Sequence, residues 1–296
     1  MIIPAKPVPF DGSILVTGAT GTVGRHVVAE LLKRGVRVRA GVRSVSKAAF
    51  LRNLGAEVVE LDYARPTCVR SAFKGVDRLC IITPVDSRMV QFTDQLIVEA
   101  QRVGVRHIVK LSSVGASRNS LLTLAKLHGE AEEIVSNSGI PFAIVRPTMF
   151  MQNLVTMFGA SIKNDNAIHA PAGEGKIPWI DARDVARILA EMIVKKHTDR
   201  IYTLTGSDAV SMNIVVSLLS KQLKREIEYV PISQEGARSG MEGAGMSKWH
   251  VDAMLELWSA VRAGNLSVVS RDYKTVMGVN SVSLVEFTRD HESYWK

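Results

Sequence analysis

Cysteine is nearly absent from this sequence: Cys68 and Cys80 are its two thiols. Two are too few for a disulfide framework. Cys80 lies inside the apolar run LCII and reads as a buried strand thiol in a reducing compartment. No apolar run reaches the ~18–20 residues that a membrane-spanning helix needs. The opening MIIPAKPVPFDGS has one lysine and lacks the apolar core of a signal peptide. It reads as a short arm leading into the first strand, and a cytoplasmic protein is expected. Also missing is any block of like charge. The formal net charge is +8, but the basic residues are scattered and no nucleic-acid recognition motif accompanies them. An anionic dinucleotide and solubility account for the charge as well, so neither a nucleic acid, a membrane nor a metal ion is expected as a partner.

What is present is a rhythm. SILVTG (13–18), VRVRAGVR (36–43), AEVVELD (56–62), DRLCIITP (77–84), HIVKLSS (107–113) and FAIVRP (142–147) read as strands. Helical patterns separate them at about 24–35, 46–54, 67–74, 88–103 and 123–138, the first closing on Gly35 as a helix stop. Such alternation predicts right-handed crossovers and an α/β fold with a doubly wound parallel sheet. After Pro147 the pattern changes to a soft apolar stretch with Met149, Phe150, Met151, Met157 and Phe158. A helix over 182–194 and a strand over 200–206 return to the sheet. The remainder reads as helices with one strand at 226–232 and a flexible glycine-rich loop, SGMEGAGMS, at 239–247. The division expected is a dinucleotide-binding domain over 1–158 with 180–206, and a smaller, mostly helical substrate region over 159–179 with 207–296.

VTGATGTVG (16–24) joins the first strand to the first helix and spaces Gly18, Gly21 and Gly24 as G-x-x-G-x-x-G. Gly18 permits a sharp turn, Gly21 lets backbone approach a pyrophosphate, and Gly24 lets helix and strand pack closely. With Thr20, Thr22 and Val23 they make a phosphate cradle at a helix N-terminus. The alternative is a purely structural turn, which the strand–turn–helix context disfavours. Sites for NAD place a carboxylate at the end of the second strand. Here that position is Arg43, with Lys47 one turn later. Two cations and no carboxylate point to NADPH over NADH, the alternative being a solvated surface arginine.

TGATGTVG (17–24), VRSVSKA (42–48), LDYARP (61–66), HIVKLSSVGA (107–116), GEAEEIVSNSGIPFAIVRPTMFMQN (129–153), IDARDVARI (180–188) and the terminal DHESYW (290–295) resemble the NmrA-like branch of the atypical short-chain dehydrogenase/reductases. The resemblance spans nearly the whole chain. It implies a Rossmann fold and an adenine contact from Asp62, beside Tyr63. It also implies that Thr83 and Pro84 flank the cofactor, that Ser112, Ser113 and Val114 lie near the nicotinamide ribose, and that Pro147, Thr148, Met149 and Phe150 approach the nicotinamide. Each of these could instead be a strand-end residue packed on the sheet.

The chain departs from the wider superfamily in the helix over 123–138. Where a Tyr-x-x-x-Lys pair is usual, it has Leu124 and His128. Leu124, His128, Ala131 and Val135 share the apolar face, while Lys126 points outward toward Glu130. Leucine cannot protonate a carbonyl oxygen, so the standard carbonyl-reductase mechanism is unavailable. His128 resembles the corresponding residue of triphenylmethane reductase and quinone oxidoreductase relatives. It is the one candidate catalytic residue, as a proton source or ribose contact, against a structural histidine beside the core. Quinones, azo compounds and cationic triarylmethanes accept hydride without a dedicated acid, so an NADPH-dependent reductase of an apolar electrophilic small molecule is expected. The alternative is a dinucleotide-sensing regulator of NmrA type that binds a protein partner without turnover. Met149, Phe150, Met151, Asn153 and Trp179 are candidate pocket walls, with Trp249 and Met254 as candidate lid residues.

Overall fold

Ile14, Leu15 and Val16 have no exposed surface, although consecutive strand residues point to opposite faces. A strand buried on both sides belongs to a parallel sheet covered by helices. The computed structural model, which describes residues 10–296, is built that way. The expected N-terminal arm lies, through residue 9, outside the described residues.

The first part of the chain runs β1 (Ser13–Val16), α1 (Gly24–Lys33), β2 (Arg37–Val42), α2 (Ala49–Asn53), β3 (Glu57–Glu60), α3 (Pro66–Ala72), β4 (Arg78–Ile81), α4 (Met89–Val103), β5 (Ile108–Leu111), α5 (Thr123–Ser136) and β6 (Phe142–Pro147). Then come α6 (Asn153–Thr156), α7 (Gly159–Asn164), β7 (Ala167–Ala170), α8 (Ala182–Lys195), β8 (Arg200–Leu204), α9 (Met212–Leu223) and β9 (Glu228–Pro231). The chain finishes with α10 (Gln234–Gly243), α11 (Lys248–Arg262), α12 (Asp272–Met277) and α13 (Leu284–Asp290). The main sheet has the order β3-β2-β1-β4-β5-β6-β8, and neighbours from β3 through β6 pair in parallel. The order reverses between β1 and β4, which opens a crevice at the carboxyl ends of those strands, where ligands bind in doubly wound sheets. Gly35 (φ +73°) follows the C-cap of α1 and takes the left-handed conformation that ends a helix cheaply.

Two compact units emerge. The first comprises the described residues through Ser113, with Leu127–Arg146 and Val185–Tyr202; the second comprises Val114–Lys126, Pro147–Asp184 and Thr203–Lys296. In the first, Leu15, Leu79, Ile81 and Ile108 from the sheet pack with Phe73, Leu96, Ile97 and Val135 from the helices. Each such side chain contributes ~1.5–3 kcal/mol when fully buried. The core of the second unit gathers Met149, Met151, Leu154, Phe158, Trp179, Trp258, Phe287 and Trp295. The Trp295 indole N–H donates to the Leu154 carbonyl (3.2 Å), anchoring the end of the chain within this unit.

Two local expectations are corrected. The glycine-rich segment at 239–247 is no free loop through its first half, because α10 extends to Gly243. The Ser233 hydroxyl caps this helix, accepting from Gly236 N–H (3.1 Å), and Ala237 and Met241 pack on Val251 and Leu255 of α11. Tertiary packing thus outweighs the cost of glycine in a helix. The second correction is an unforeseen strand, β7, which pairs in parallel with β9 in a separate two-stranded sheet.

Candidate functional site

The turn after β1 is made of backbone. Gly18 has φ +57°, and a Cβ there would sit 2.6 Å from the Ile82 carbonyl oxygen. A Cβ on Gly24 would sit 2.2 Å from the Gly18 carbonyl oxygen. Gly21 differs: it is exposed, and its N–H closes the turn onto the Gly18 carbonyl at 2.9 Å. Thr17, just before the turn, is wholly buried. Its hydroxyl donates to the Ile82 carbonyl (3.0 Å) and accepts from the Ile82 N–H (2.8 Å), pinning β1 to the end of β4. Val23 is the N-cap of α1, with no side-chain cap and no acidic residue in the first turn. Arg25 N–H and His26 N–H bond to the Gly21 (3.2 Å) and Val23 (3.0 Å) carbonyls, and the helix presents the positive end of its dipole, with no side chain over it, to an anion. Thr20 is exposed and Thr22 half-buried, both on the turn.

The other expected residues of the first unit follow the ends of its strands. Arg43, just past β2, and Lys47 are exposed. Asp62, past β3, accepts from Ala64 N–H (3.0 Å) and from Arg65 Nε (3.1 Å). The Ala64 N–H, then Arg65, then the charge of Arg43 hold its carboxyl below the usual range, so Asp62 is ionised. The Tyr63 ring stacks on Phe92 at 4.3 Å between centroids, and burial pushes its phenol up to about 12. Its aromatic face is used within the core. Thr83 and Ser113 are half-buried and Pro84 exposed. A cradle that side chains would fill, an uncapped helix end and two exposed cations beyond β2 fit a phosphorylated dinucleotide.

At β5 and α5 the means are side chains. Ser112 is buried and donates its hydroxyl to Glu132. Glu132 also pairs with Arg146 through both oxygens, Arg146 Nε lying 2.9 Å from Oε1. The serine hydroxyl is thus committed inside the protein. Lys110, two residues before Ser112 on the same face of β5, has no exposed surface, and its Nζ donates to the Leu111 carbonyl (3.0 Å). Burial, opposed by the charge of Glu132, pushes the Lys110 ammonium down to about 8. His128 stands one turn before Glu132 on α5. Its ring Nδ1 is buried without a hydrogen-bond partner. Burial, reinforced by the charge of Lys110, lowers its imidazole to about 3. At neutral pH His128 is uncharged, able to give or accept a hydrogen bond but not to start as an imidazolium acid. Lys126, as expected, is exposed.

The remaining expected residues belong to the second unit. Val114 N–H donates to the Pro147 carbonyl (2.9 Å), and Thr148 N–H to the Leu204 carbonyl (3.0 Å). Phe150, half-exposed, forms a parallel bridge with Ile180. Thr148 Oγ1 and the indole nitrogen of Trp179 are buried without partners. Met149, Met151 and Trp179 lie in this unit's apolar core, while Asn153, Trp249 and Met254 are half-buried.

The sequence reading missed Thr17, Lys110, Glu132 and Arg146. Lys110 and Arg146 left a signal, each a single charge in an otherwise apolar strand.

The profile of the NmrA-like family matches residues 11–257. The chain belongs to that family. It is 34% identical over 279 residues to the NAD(P)H azoreductase of Xenophilus azovorans, covering 94% of this chain and 97% of that one. Among solved structures, the NADPH-dependent quinone oxidoreductase of Escherichia coli complexed with NADPH superposes with a TM-score of 0.84 at 26% identity, covering 95% of this family member and 99% of the other chain. Triphenylmethane reductase of Citrobacter sp. gives 0.82 at 25%, with coverages of 94% and 99%. No helix among the described residues is long and apolar enough to cross a membrane.

Proposed function

We propose that this NmrA-like protein is an NADPH-dependent reductase of apolar, electrophilic small molecules of quinone, azo, imine or activated carbonyl type. The observation that carries the reading is the backbone cradle at the crevice between β1 and β4. It occurs in a chain that matches an NAD(P)H azoreductase along nearly its whole length.

In this reading the 18–24 turn and the N-terminal dipole end of α1 hold the pyrophosphate. Arg43 and Lys47 take the 2′-phosphate, which a carboxylate at that position would repel. Asp62, kept ionised, accepts from the adenosine end. Thr83, Pro84, Ser113 and the Ser112 backbone flank the nicotinamide side. Within the second unit, Val114, Pro147, Thr148, Met149 and Phe150 are proposed to touch cofactor or substrate. When bound, NADPH supplies the hydride. The protein orients the reactants and excludes water. Leu124 offers no proton, and His128 serves as a neutral hydrogen-bonding group. Acceptors whose reduced forms take protons from water suit such a site.

The test is NADPH consumption by the full chain across a panel of quinones, azo compounds, imines and activated carbonyls. Turnover well above background with at least one class is expected. Background rates throughout, with NADPH binding intact, would replace this reading with that of a cofactor-sensing regulator.

A further inference from the structure

The residue before α5 cannot cap that helix. Leu122, whose carbonyl accepts the first helical bond from Lys126 N–H (2.9 Å), carries no side-chain acceptor for the N–H groups a helix leaves free at its start. α10 and α13 are capped locally, by Ser233 and Ser283. At α5 the acceptor comes from 133 residues away. Glu256 on α11 accepts from Thr123 N–H through Oε2 (2.6 Å) and from the Thr123 hydroxyl through Oε1 (3.0 Å). A carboxylate at this end of a helix gains from the dipole as well as from charge-assisted bonds. Both residues are half-buried, and both belong to the second unit.

The helix that supplies Glu256 has two parts. Its later residues Trp258 and Val261 sit in the unit's main core. Its earlier residues Val251 and Leu255 pack with Ala237 and Met241 of α10 in a small cluster of their own. Arg238 of α10 binds Asp252 of α11 (2.8 Å) and Gln234 binds Ser259, so the two helices form a hairpin with its own contacts. Residues 242–248, which link them, are exposed throughout, and Gly245 there has φ +81°. A segment with so few buried apolar side chains opens locally at low free energy, so a tie to its surroundings decides how often it opens. Glu256 stands where the small cluster gives way to the main core. Trp249 lies seven residues before it, two turns along the same side of α11.

We propose that Glu256 is a positioning residue: through Thr123 it latches the α10–α11 hairpin to the start of α5, and so holds in place the side of α11 that bears Trp249, a candidate lid residue. The role of this latch in turnover rests on the reductase reading; the latch itself does not. A helix that needed only a cap would be served by a serine or aspartate at position 122, as α10 and α13 are served by their own serines. A cap supplied by α11 instead makes the first turn of α5 and the closure of the hairpin one event.

The experiment is hydrogen exchange by mass spectrometry on the full chain, wild type against Glu256→Ala and Thr123→Val. Loss of the charge-assisted pair in Glu256→Ala is expected to speed exchange about 10-fold in two places at once, residues 123–126 and residues 234–256. Peptides from β1, β4 and β5 should be unchanged. Thr123→Val removes the hydroxyl and keeps the N–H. It should give a smaller rise, ~3-fold, in the same two places, and it judges the latch if the alanine variant fails to fold. With an acceptor that is turned over, Glu256→Ala should raise its KM ~10-fold and leave NADPH affinity unchanged. Glu256→Gln, whose amide oxygen still accepts from Thr123 N–H, should recover most of that loss. Faster exchange confined to residues 123–126, the mark of a cap and nothing more, would overturn the proposal. So would equal losses of acceptor and NADPH affinity. A chain that reduces no acceptor would sink the reductase reading while the exchange pattern still judged Glu256.

Discussion

The turn after β1 and the face between β5 and α5 lie in the same unit and reach polar function by opposite means. At the turn, geometry is fixed by atoms that are absent: Gly18 and Gly24 have no side chain because the backbone leaves no room for one. Between β5 and α5, geometry is fixed by side chains that are present, with Ser112, Glu132 and Arg146 locked together and Lys110 sealed beside them. A site made of backbone tolerates little change and leaves a sequence signature at fixed spacing. A site made of side chains can exchange members, and its members lie far apart in sequence. The contrast accounts for a chain that keeps the nucleotide cradle while Leu124 and His128 stand where Tyr and Lys are usual.

The comparison is broken most severely at the turn. Gly24→Ala places a methyl group 2.2 Å from the Gly18 carbonyl oxygen, so the turn must move. It should lower stability by about 1–3 kcal/mol and abolish measurable NADPH binding in calorimetry. At the side-chain site, Glu132→Gln leaves Arg146 without its counter-charge and should cost on the order of 3 kcal/mol in urea unfolding. Cofactor affinity should be far less affected. Arg43→Ala sharpens the distinction, since an exposed side chain can be lost without harm to the fold. It should weaken NADPH binding by ~1.5–3 kcal/mol, leave NADH nearly unchanged, and leave the melting temperature as it was.

Legibility follows the same division. The strand and helix order, the glycine turn and the residues past β2 and β3 could be read because they depend on local pattern and fixed spacing. The pairing of Glu132 with Arg146 could not, since 14 residues separate them and only the β5–α5 packing brings Ser112 to them. β7 is a four-residue strand, AIHA, whose partner β9 lies some sixty positions on; it has no periodicity to detect. α10 was hidden because Gly240 and Gly243 lower helix propensity, and its stability comes from α11. Tyr63 lies past β3, and its stacking on Phe92 depends on a helix about thirty residues away in sequence.

The smallest expected effect is on pH dependence. Burial lowers His107 to about 4, opposed by its bond to the His197 carbonyl (2.7 Å), while the unfolded chain titrates near 6.5. Between those values the unfolded state binds a proton that the folded state refuses, so stability is full above pH 6.5 and falls as pH drops through the window. Melting temperatures recorded from pH 7 to pH 5 should decline, and His107→Gln should remove part of that decline, His128 supplying a further part.

The most direct test of the account is a calorimetric titration of the full chain with NADPH and with NADH under identical conditions. The account predicts one site per chain for NADPH, with affinity at least ~10-fold above that for NADH, the difference a charge-assisted bond to the 2′-phosphate supplies. Absence of binding heat with either cofactor, or tighter binding of NADH, would contradict it.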